Sequence, residues 1–252
     1  MLNILLSGCN GKLSRAVLEY GESRRDTRVI AGIDPAVGRI PLPFPVFPEP
    51  AAVDGIRPDV VLDCSLPRAL PGLLEFAMRE KLPLVVATTG YGQAELDLLG
   101  DAAKRIPVFH SGNMSLGILL LKQLAKQAAA VLGGSFDVEI VEAHHNQKLD
   151  APSGTAYILA QAVNEGLAAP RGYTYERHSA RAARPKEEIG IHSVRGGTIP
   201  GEHTVLFAGF DEVVELTHRA YSKRIFAAGC LAAAHWLADK PAGLYGMDDM
   251  VK

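Results

Sequence analysis

Residues 144–155 read His-His-Asn-Gln-Lys-Leu-Asp-Ala-Pro-Ser-Gly-Thr. Two imidazoles, an ammonium group and a Ser-Gly-Thr turn fall within this one stretch, just ahead of a helical pattern from Ala156 to Leu167. The first N–H groups of a helix have no intrahelical partner and the helix dipole is positive there, so such a turn attracts anions. His144, His145 and Lys148 add positive charge and exchangeable protons. Histidine titrates near neutral pH, at ~6.5 when unperturbed, and serves as acid or base. The chemistry these residues suit is proton transfer on a small carboxylate or phosphate compound. Neighbouring side chains of a strand point to opposite faces. His144 and His145 are therefore expected to divide the labour, one moving a proton and one holding the ligand. Zinc takes three or four ligands. Here the neighbours are Asn146, Gln147 and a cation-repelling Lys148, so no metal site is expected. Asp150 either orients Lys148 or caps the following helix.

A second constellation opens the chain. Leu2 to Ser7 is an apolar run of strand length. It ends in Gly8-Cys9-Asn10-Gly11-Lys12-Leu13-Ser14-Arg15, and a helical pattern follows from Ala16 to Ser23. The next strand, Arg28 to Ile33, ends in Asp34. Strand, glycine turn, helix, then a strand closing on a carboxylate is the order of a dinucleotide-binding unit. The glycines let backbone approach a pyrophosphate, and Asp34 is placed to accept from the adenine-ribose hydroxyls. The spacing is Gly-x-x-Gly with Ser14 where a third small residue is usual, and a Gly-rich turn alone is a weak signal.

The elements that must position these groups alternate in the first half. Strands are predicted at Asp59–Cys64, Pro83–Ala87 and Ile106–Ser111, with helices at 68–81 and Gln93–Lys104 between them. A Pro-rich connection follows Asp34, too proline-dense for a helix. This order predicts a Rossmann-type, doubly wound parallel α/β sheet, whose ligands sit at the carboxyl ends of the strands. The second half differs. Leu116 to Leu132 is a helix apolar nearly all round, with Lys122, Gln123, Lys126 and Gln127 as a narrow polar stripe, so most of it is expected to be buried. Phe136 to His144 alternates as a half-exposed strand. Ile189–Val194, His203–Ala208 and Val213–His218 are strands with no helix between them. They predict a second α+β domain carrying a mixed or antiparallel sheet. The charged stretch Tyr173 to Glu188 reads as a solvated loop. The helix Arg224–Leu237 is expected to return to the first domain, giving residues 1–114 plus 220–252 as the dinucleotide-binding domain and 115–219 as the substrate-binding and oligomerisation domain.

The chain has 252 residues, enough for two domains, and a net charge of −2, which implies no bulk attraction to nucleic acid or anionic membrane. Its three cysteines (Cys9, Cys64, Cys230) are odd in number and far apart, which argues against a disulfide framework or a thiolate metal site. Cys64 reads as a packed small hydrophobe. No apolar run approaches membrane-spanning length and no signal-peptide pattern opens the chain, so a cytoplasmic setting is expected.

Gly8 to Arg15, Thr88-Thr89-Gly90-Tyr91, Asn113-Met114-Ser115-Leu116-Gly117-Ile118, Glu142-x-His-His-x-x-Lys-x-Asp-Ala-Pro-Ser-Gly-Thr-Ala156, Gly201-Glu202-His203-Thr204 and Leu216–Ala227 together resemble the 4-hydroxy-tetrahydrodipicolinate reductase (dihydrodipicolinate reductase) family. The resemblance spans the whole chain in order, and its central histidine–lysine motif is the specific part. It implies reduction of 4-hydroxy-tetrahydrodipicolinate, via dihydrodipicolinate, to tetrahydrodipicolinate in the diaminopimelate route to lysine. The hydride would come from NADH or NADPH to C4 of the substrate ring. By resemblance His144 is the acid/base group and Lys148 a proton donor. His145, Ser153, Gly154 and Thr155 hold the small dicarboxylate. Gly8, Cys9, Asn10, Gly11, Lys12, Leu13, Asp34, Ala87, Thr88, Thr89, Ser111, Gly112, Asn113 and Met114 hold the cofactor. A homotetramer is implied, with no nucleic-acid or membrane partner. Ser14, Ala87 and Met114 depart from the family's usual glycine, glycine and phenylalanine. A redox sensor that binds the nucleotide without turnover, or another Rossmann-type dehydrogenase, remains open on the first half alone. A semialdehyde dehydrogenase would need a cysteine nucleophile in the second domain, and Leu116 to His218 contains none.

Overall fold

A computed structural model describes residues 1–179 and 181–251. The chain forms two compact units, Met1–Ser115 with Lys223–Lys252, and Leu116–Ser222.

The first unit carries β1 (Leu2–Ser7), α1 (Lys12–Glu22), β2 (Thr27–Ile33), β3 (Val46–Phe47), β4 (Val60–Asp63), α2 (Leu70–Glu80), β5 (Leu84–Val86), α3 (Gln93–Ala103) and β6 (Pro107–His110). Its strands pair in parallel, in the order of a doubly wound sheet, with β4 and β2 on either side of β1 and β5 and β6 beyond β4. Ile4, Leu5, Leu6, Val60, Val61 and Leu62 are fully buried, as strands covered on both faces require. Two short parallel edge strands were not legible in the sequence. One is β3, inside the Pro-rich connection, and edge position is where proline tolerates a strand. The other, Gly243–Tyr245, lies near the end of the chain and pairs with β6. The first helix starts at Lys12, four residues before the predicted Ala16. Gly11 in extended conformation is its N-cap, and Arg15 N donates to Gly11 O at 3.1 Å to close the first turn.

The second unit carries α4 (Leu116–Leu132), β7 (Asp137–His144), α5 (Gly154–Gly166), β8 (Gly172–Thr174), β9 (Glu188–Arg195), β10 (Gly201–Ala208) and β11 (Val213–Ala220). The sheet order is β11-β10-β7-β9-β8. β10 is antiparallel to β11 and β7, while β9 is parallel to β7 and β8, so the sheet is mixed. α4 and α5 cover one face through Ile118, Leu121, Ala125, Leu159 and Val163 against Val138, Ile140, Val205 and Phe207. The helix α4 is not buried all round. Its sheet-facing stripe is buried, but Leu120, Leu124 and Val131 are exposed, because the single sheet can cover only one side of it. The stretch from Tyr173 to Glu188, of which residue 180 lies outside the described residues, is mostly exposed as expected of a solvated loop, but it is anchored at two points. It begins in β8, and its Arg177 and Arg184 pair with Glu139 on β7 at 2.6 and 2.8 Å. Glu139 offered an anchor that local charge density could not reveal.

The chain then returns to the first unit as α6 (Arg224–Leu237), which packs on α1, and β12 (Gly243–Tyr245), the partner of β6. Among the described residues no helix is long and apolar enough to cross a membrane.

Candidate active site

In the first unit the glycine turn, Asp34 and the loop after β4 line one cleft of about 890 Å³ at the carboxyl ends of the strands. Gly8 has φ +72°, and a Cβ there would lie 2.7 Å from Cys64 O and 2.8 Å from Ser65 Cα, so only glycine lets β1 turn against the neighbouring loop. Ser14 Oγ donates to Gly8 O at 2.7 Å. The departure from a third glycine thus locks the turn. Asp34 lines the cleft and accepts from Asn10 N at 3.2 Å and Ala36 N at 2.9 Å. Lys12, Arg39 and Arg68 put three cations on its rim. Arg68, from the loop ahead of α2, was not singled out in the sequence because no local motif surrounds it.

Other residues of the predicted nucleotide site are structural in their side chains. Cys9 is fully buried, and burial followed by the charge of Asp34 pushes its thiol up to about 11. Thr88 Oγ1 donates to buried Asp63 at 2.6 Å and accepts from Ser65 N at 3.0 Å. Ala87 and Met114 are buried, whereas Thr89 and Gly112 are exposed. Ser111 Oγ donates to Asn113 O at 2.8 Å, and Asn113 Oδ1 accepts from Ser115 N at 2.8 Å, which shapes the chain as it leaves the first unit. Gly11, Lys12 and Leu13 begin α1, whose N-terminus opens at the turn.

In the second unit the site is built where β7 ends. Alternation along β7 buries Val138, Ile140 and then Glu142. On β10 it buries Val205, Phe207 and His203. The antiparallel register sets His203 opposite Glu142, and the parallel register sets Ser193 opposite Glu142 and Arg195 opposite His144. Glu142 is fully buried. Arg195 Nη1 and Nη2 donate to its two oxygens at 2.8 and 2.7 Å, and Ser153 N donates at 3.2 Å. Burial by itself would raise this carboxyl, but the hydrogen bonds from Arg195, Ser193 and His144 outweigh it and hold the group at about 2. An ionised carboxylate only accepts. The 2.5 Å contact between Glu142 Oε2 and His144 Nδ1 is therefore a donation from His144. Burial, then the charges of Lys148 and Arg195, lower His144 despite the pull of Glu142.

The strand ends at His144, so His145 is freed from strict alternation and sits on the following turn, closed by Lys148 N donating to His145 O at 3.1 Å. Lys148 Nζ donates to both carboxylate oxygens of Asp150 at 2.8 and 2.7 Å. Asp150 thus orients Lys148; the cap of α5 is Ser153, whose Oγ accepts from Ala156 N at 3.2 Å. The same Oγ meets His203 Nε2 at 3.0 Å. Ser153 is buried with its hydroxyl committed to these two groups, while Gly154 and Thr155 open the helix toward the surface. His203 stands edge-on to His144, with ring centroids 5.2 Å apart at 75°. Burial, then the repulsion it would meet from His144 and His218 when they are protonated, push it down to about 3, so it is neutral at physiological pH.

His144, Lys148 and the start of α5 are thus brought together in this unit. Reading the sequence named Glu142 and His203 only within motifs and gave them no role, and it did not name Arg195. A signal existed for two of them: Glu142 and His203 fall in phase with the apolar residues of their strands. Nothing local marks Arg195. Among the described residues no group of acidic, histidine or cysteine side chains could hold a metal ion.

Comparison with known proteins bears on this geometry. A relative from Caldanaerobacter subterraneus subsp. tengcongensis, a 4-hydroxy-tetrahydrodipicolinate reductase, is 46% identical over 252 residues, covering 100% of this chain and 99% of its own. A protein of the same description from an Exiguobacterium species is 54% identical over 76% of each chain. The solved structure of a dipicolinate-bound dihydrodipicolinate reductase from Paenisporosarcina sp. TG-14 superposes with a TM-score of 0.82 at 27% identity, covering 100% of both chains. A probable dehydrogenase from Thermotoga maritima, 12% identical with a TM-score of 0.59, shares the fold alone. The models for the N-terminus and the C-terminus of dihydrodipicolinate reductase match residues 2–114 and 117–251, and the chain belongs to the dihydrodipicolinate reductase family.

Proposed function

We propose that this chain reduces 4-hydroxy-tetrahydrodipicolinate, via dihydrodipicolinate, to tetrahydrodipicolinate in the diaminopimelate route to lysine, with NADH or NADPH as reductant. The observation that carries the reading is the cluster of His144, Lys148 and the α5 N-terminus at the end of β7, a site for a small dicarboxylate.

The nucleotide fits the first-unit cleft. The Gly8 turn admits close backbone approach, and the α1 N-terminus and Lys12 face anionic phosphates. Asp34 would accept from the ribose hydroxyls, with Arg39 and Arg68 nearby to tolerate a 2′-phosphate. Usable rates with both nucleotides and a lean to NADH follow. When bound, the reduced nicotinamide supplies the hydride. The chain's own work is to bind, orient and protonate. The α5 N-terminus with Gly154 and Thr155, and His145 beside it, hold substrate carboxylate. Lys148, oriented by Asp150, stabilises negative charge developing on the ring and helps deliver the proton, and His144 is the acid/base group.

The second unit's sheet has a face turned away from α4 and α5, with Val141, Leu206 and exposed Val213 on it. That face supports assembly as a homotetramer. Three free cysteines, Cys9 and Cys230 buried, support a reducing, cytoplasmic setting.

The test is nicotinamide oxidation followed at 340 nm with enzymatically generated substrate, comparing NADH with NADPH. Turnover with both is expected. Nucleotide binding without oxidation would overturn the assignment in favour of a sensor.

A further inference from the structure

We infer that Glu142, clamped by Arg195, is a positioning residue: it holds His144 as the Nδ1–H tautomer and leaves Nε2 as the nitrogen that exchanges a proton with the bound dicarboxylate. This rests on the reading of His144 as the acid/base group and adds what decides which nitrogen works.

The geometry leaves the carboxylate no freedom. Glu142 is fully buried and accepts from both terminal nitrogens of Arg195, from Ser153 N and from His144 Nδ1 at 2.5 Å. Its protonated form would have to surrender one of these charge-assisted bonds. His144 must therefore carry its proton on Nδ1 when neutral, with the lone pair on Nε2. The other ring nitrogen is kept clear: a Cβ on residue 201 would lie 3.1 Å from Nε2, and Gly201 has none. A carboxylate behind the imidazole also stabilises the imidazolium formed in proton transfer, as second partners of working histidines do elsewhere.

Arg195 braces the second proton group as well. Its Nη2 donates to Asp150 O at 2.6 Å, and the Asp150 carboxylate holds Lys148. One guanidinium on β9 thus joins the end of β7 to the loop that carries Lys148. The charged and titratable groups around His144 are Glu142 on its own strand, Lys148 and Asp150 on the next loop, Arg195 on β9, and His203 on β10 with His218 beyond it on β11. Of the groups that act on His144, Glu142 is the one that favours its charged form; Lys148 and Arg195 oppose it.

Two measurements decide the matter. In ¹⁵N-histidine-labelled wild-type protein, above the His144 titration, Nδ1 should show the protonated-nitrogen shift and Nε2 the unprotonated one. The reverse pattern overturns the inference without any variant. In Glu142→Gln the His144 titration should move to lower pH by about one unit, and the limb of kcat/KM that it controls should move with it. kcat should fall by ~10–100-fold, with NADH affinity unchanged. A loss of activity with an unmoved limb and an unmoved titration means a merely structural carboxylate and overturns the inference. Should wild type fail to turn over the substrate, the proposed function falls, while the tautomer measurement still passes judgement on Glu142. A Glu142→Gln protein that does not fold leaves that wild-type measurement decisive.

Discussion

Arg195 holds Glu142 with both terminal nitrogens, at 2.8 and 2.7 Å, across the β9–β7 pairing and out of contact with bulk water on the carboxylate side. Breaking such a pair by removing one partner strands the other charge in the interior. Arg195→Ala is therefore expected to destabilise the protein by ~3 kcal/mol, the low end for a buried pair because the guanidinium keeps some solvent contact. Urea unfolding of the variant and wild type at neutral pH checks this. A difference within experimental error would mean that Glu142 is not left as an uncompensated buried charge.

His203 makes stability depend on pH. Its folded-state value lies far below its unfolded one, at about 3, because burial and positive neighbours disfavour the charged form. Above ~6.5 both states are neutral and the group contributes no pH dependence; below that, the unfolded chain gains a proton that the native site refuses. Stability is then lost as pH falls, by up to ~1.4 kcal/mol per pH unit from this one group, until the native histidine itself titrates. Glu142, depressed to about 2, adds a loss of the same sign below the ordinary carboxyl range. His203→Gln should flatten the decline between pH 6.5 and 5. An equally steep decline in the variant would assign it to other groups.

Asp34 is expected to set nucleotide preference. It faces the nucleotide cleft while Arg39 and Arg68 stand on the rim, so its charge opposes a 2′-phosphate that the arginines would welcome. Asp34→Ala should lower the NADH-to-NADPH ratio of kcat/KM by about tenfold, equivalent to ~1.4 kcal/mol. Part of any general loss will come from the freed Asn10 and Ala36 amides. The ratio separates that from preference, and an unchanged ratio refutes the role.

His144 and Lys148 should fail differently. Lys148 carries charge toward the dicarboxylate, so Lys148→Ala should raise KM and lower kcat. His144→Ala should lower kcat more than it weakens binding. Each loss is expected at ~10²–10⁴-fold in turnover. NADH affinity, measured by fluorescence, should survive in both, because the nucleotide cleft belongs to the first unit. Near-wild-type turnover in both variants would remove them from the mechanism.

Gly8 tolerates no side chain. A Cβ would sit 2.7 Å from a backbone oxygen at a φ of +72°, so Gly8→Ala should abolish measurable NADH binding while leaving intact the affinity of the dicarboxylate site proposed in the second unit. Calorimetric titration with each ligand tells the two apart.

Much of the architecture was legible because it is written locally. Apolar runs of strand length, separated by helical patterns and glycine turns, specify a doubly wound sheet without reference to distant residues. Period-two alternation in β7 and β10 likewise marked a sheet with one buried face. The two missed edge strands, β3 and β12, are only two and three residues long and have no period to read. The segment at 173–188 is mostly exposed among its described residues, as its charge predicted, and only its two anchoring arginines escaped that reading. Its Arg177 and Arg184 turn inward only because Glu139, far back in the chain, is waiting on β7.

The same division runs through the site. The types and order of His144, His145, Lys148 and the Ser-Gly-Thr turn, and of Gly8, Gly11 and Asp34, are properties of short stretches, and their chemistry follows from the residues themselves. What each one does was decided by partners brought from elsewhere. Asp150 could have capped a helix or held a lysine, and Ser153 took the cap, so Asp150 holds Lys148. Glu142 could have been one more solvated acid, but strand phase buried it and the β9 register delivered Arg195 to ionise it. Periodicity reports which face a residue occupies; strand register, here bringing together residues 53 positions apart in the chain, reports what it meets there, and only the folded sheet fixes that register.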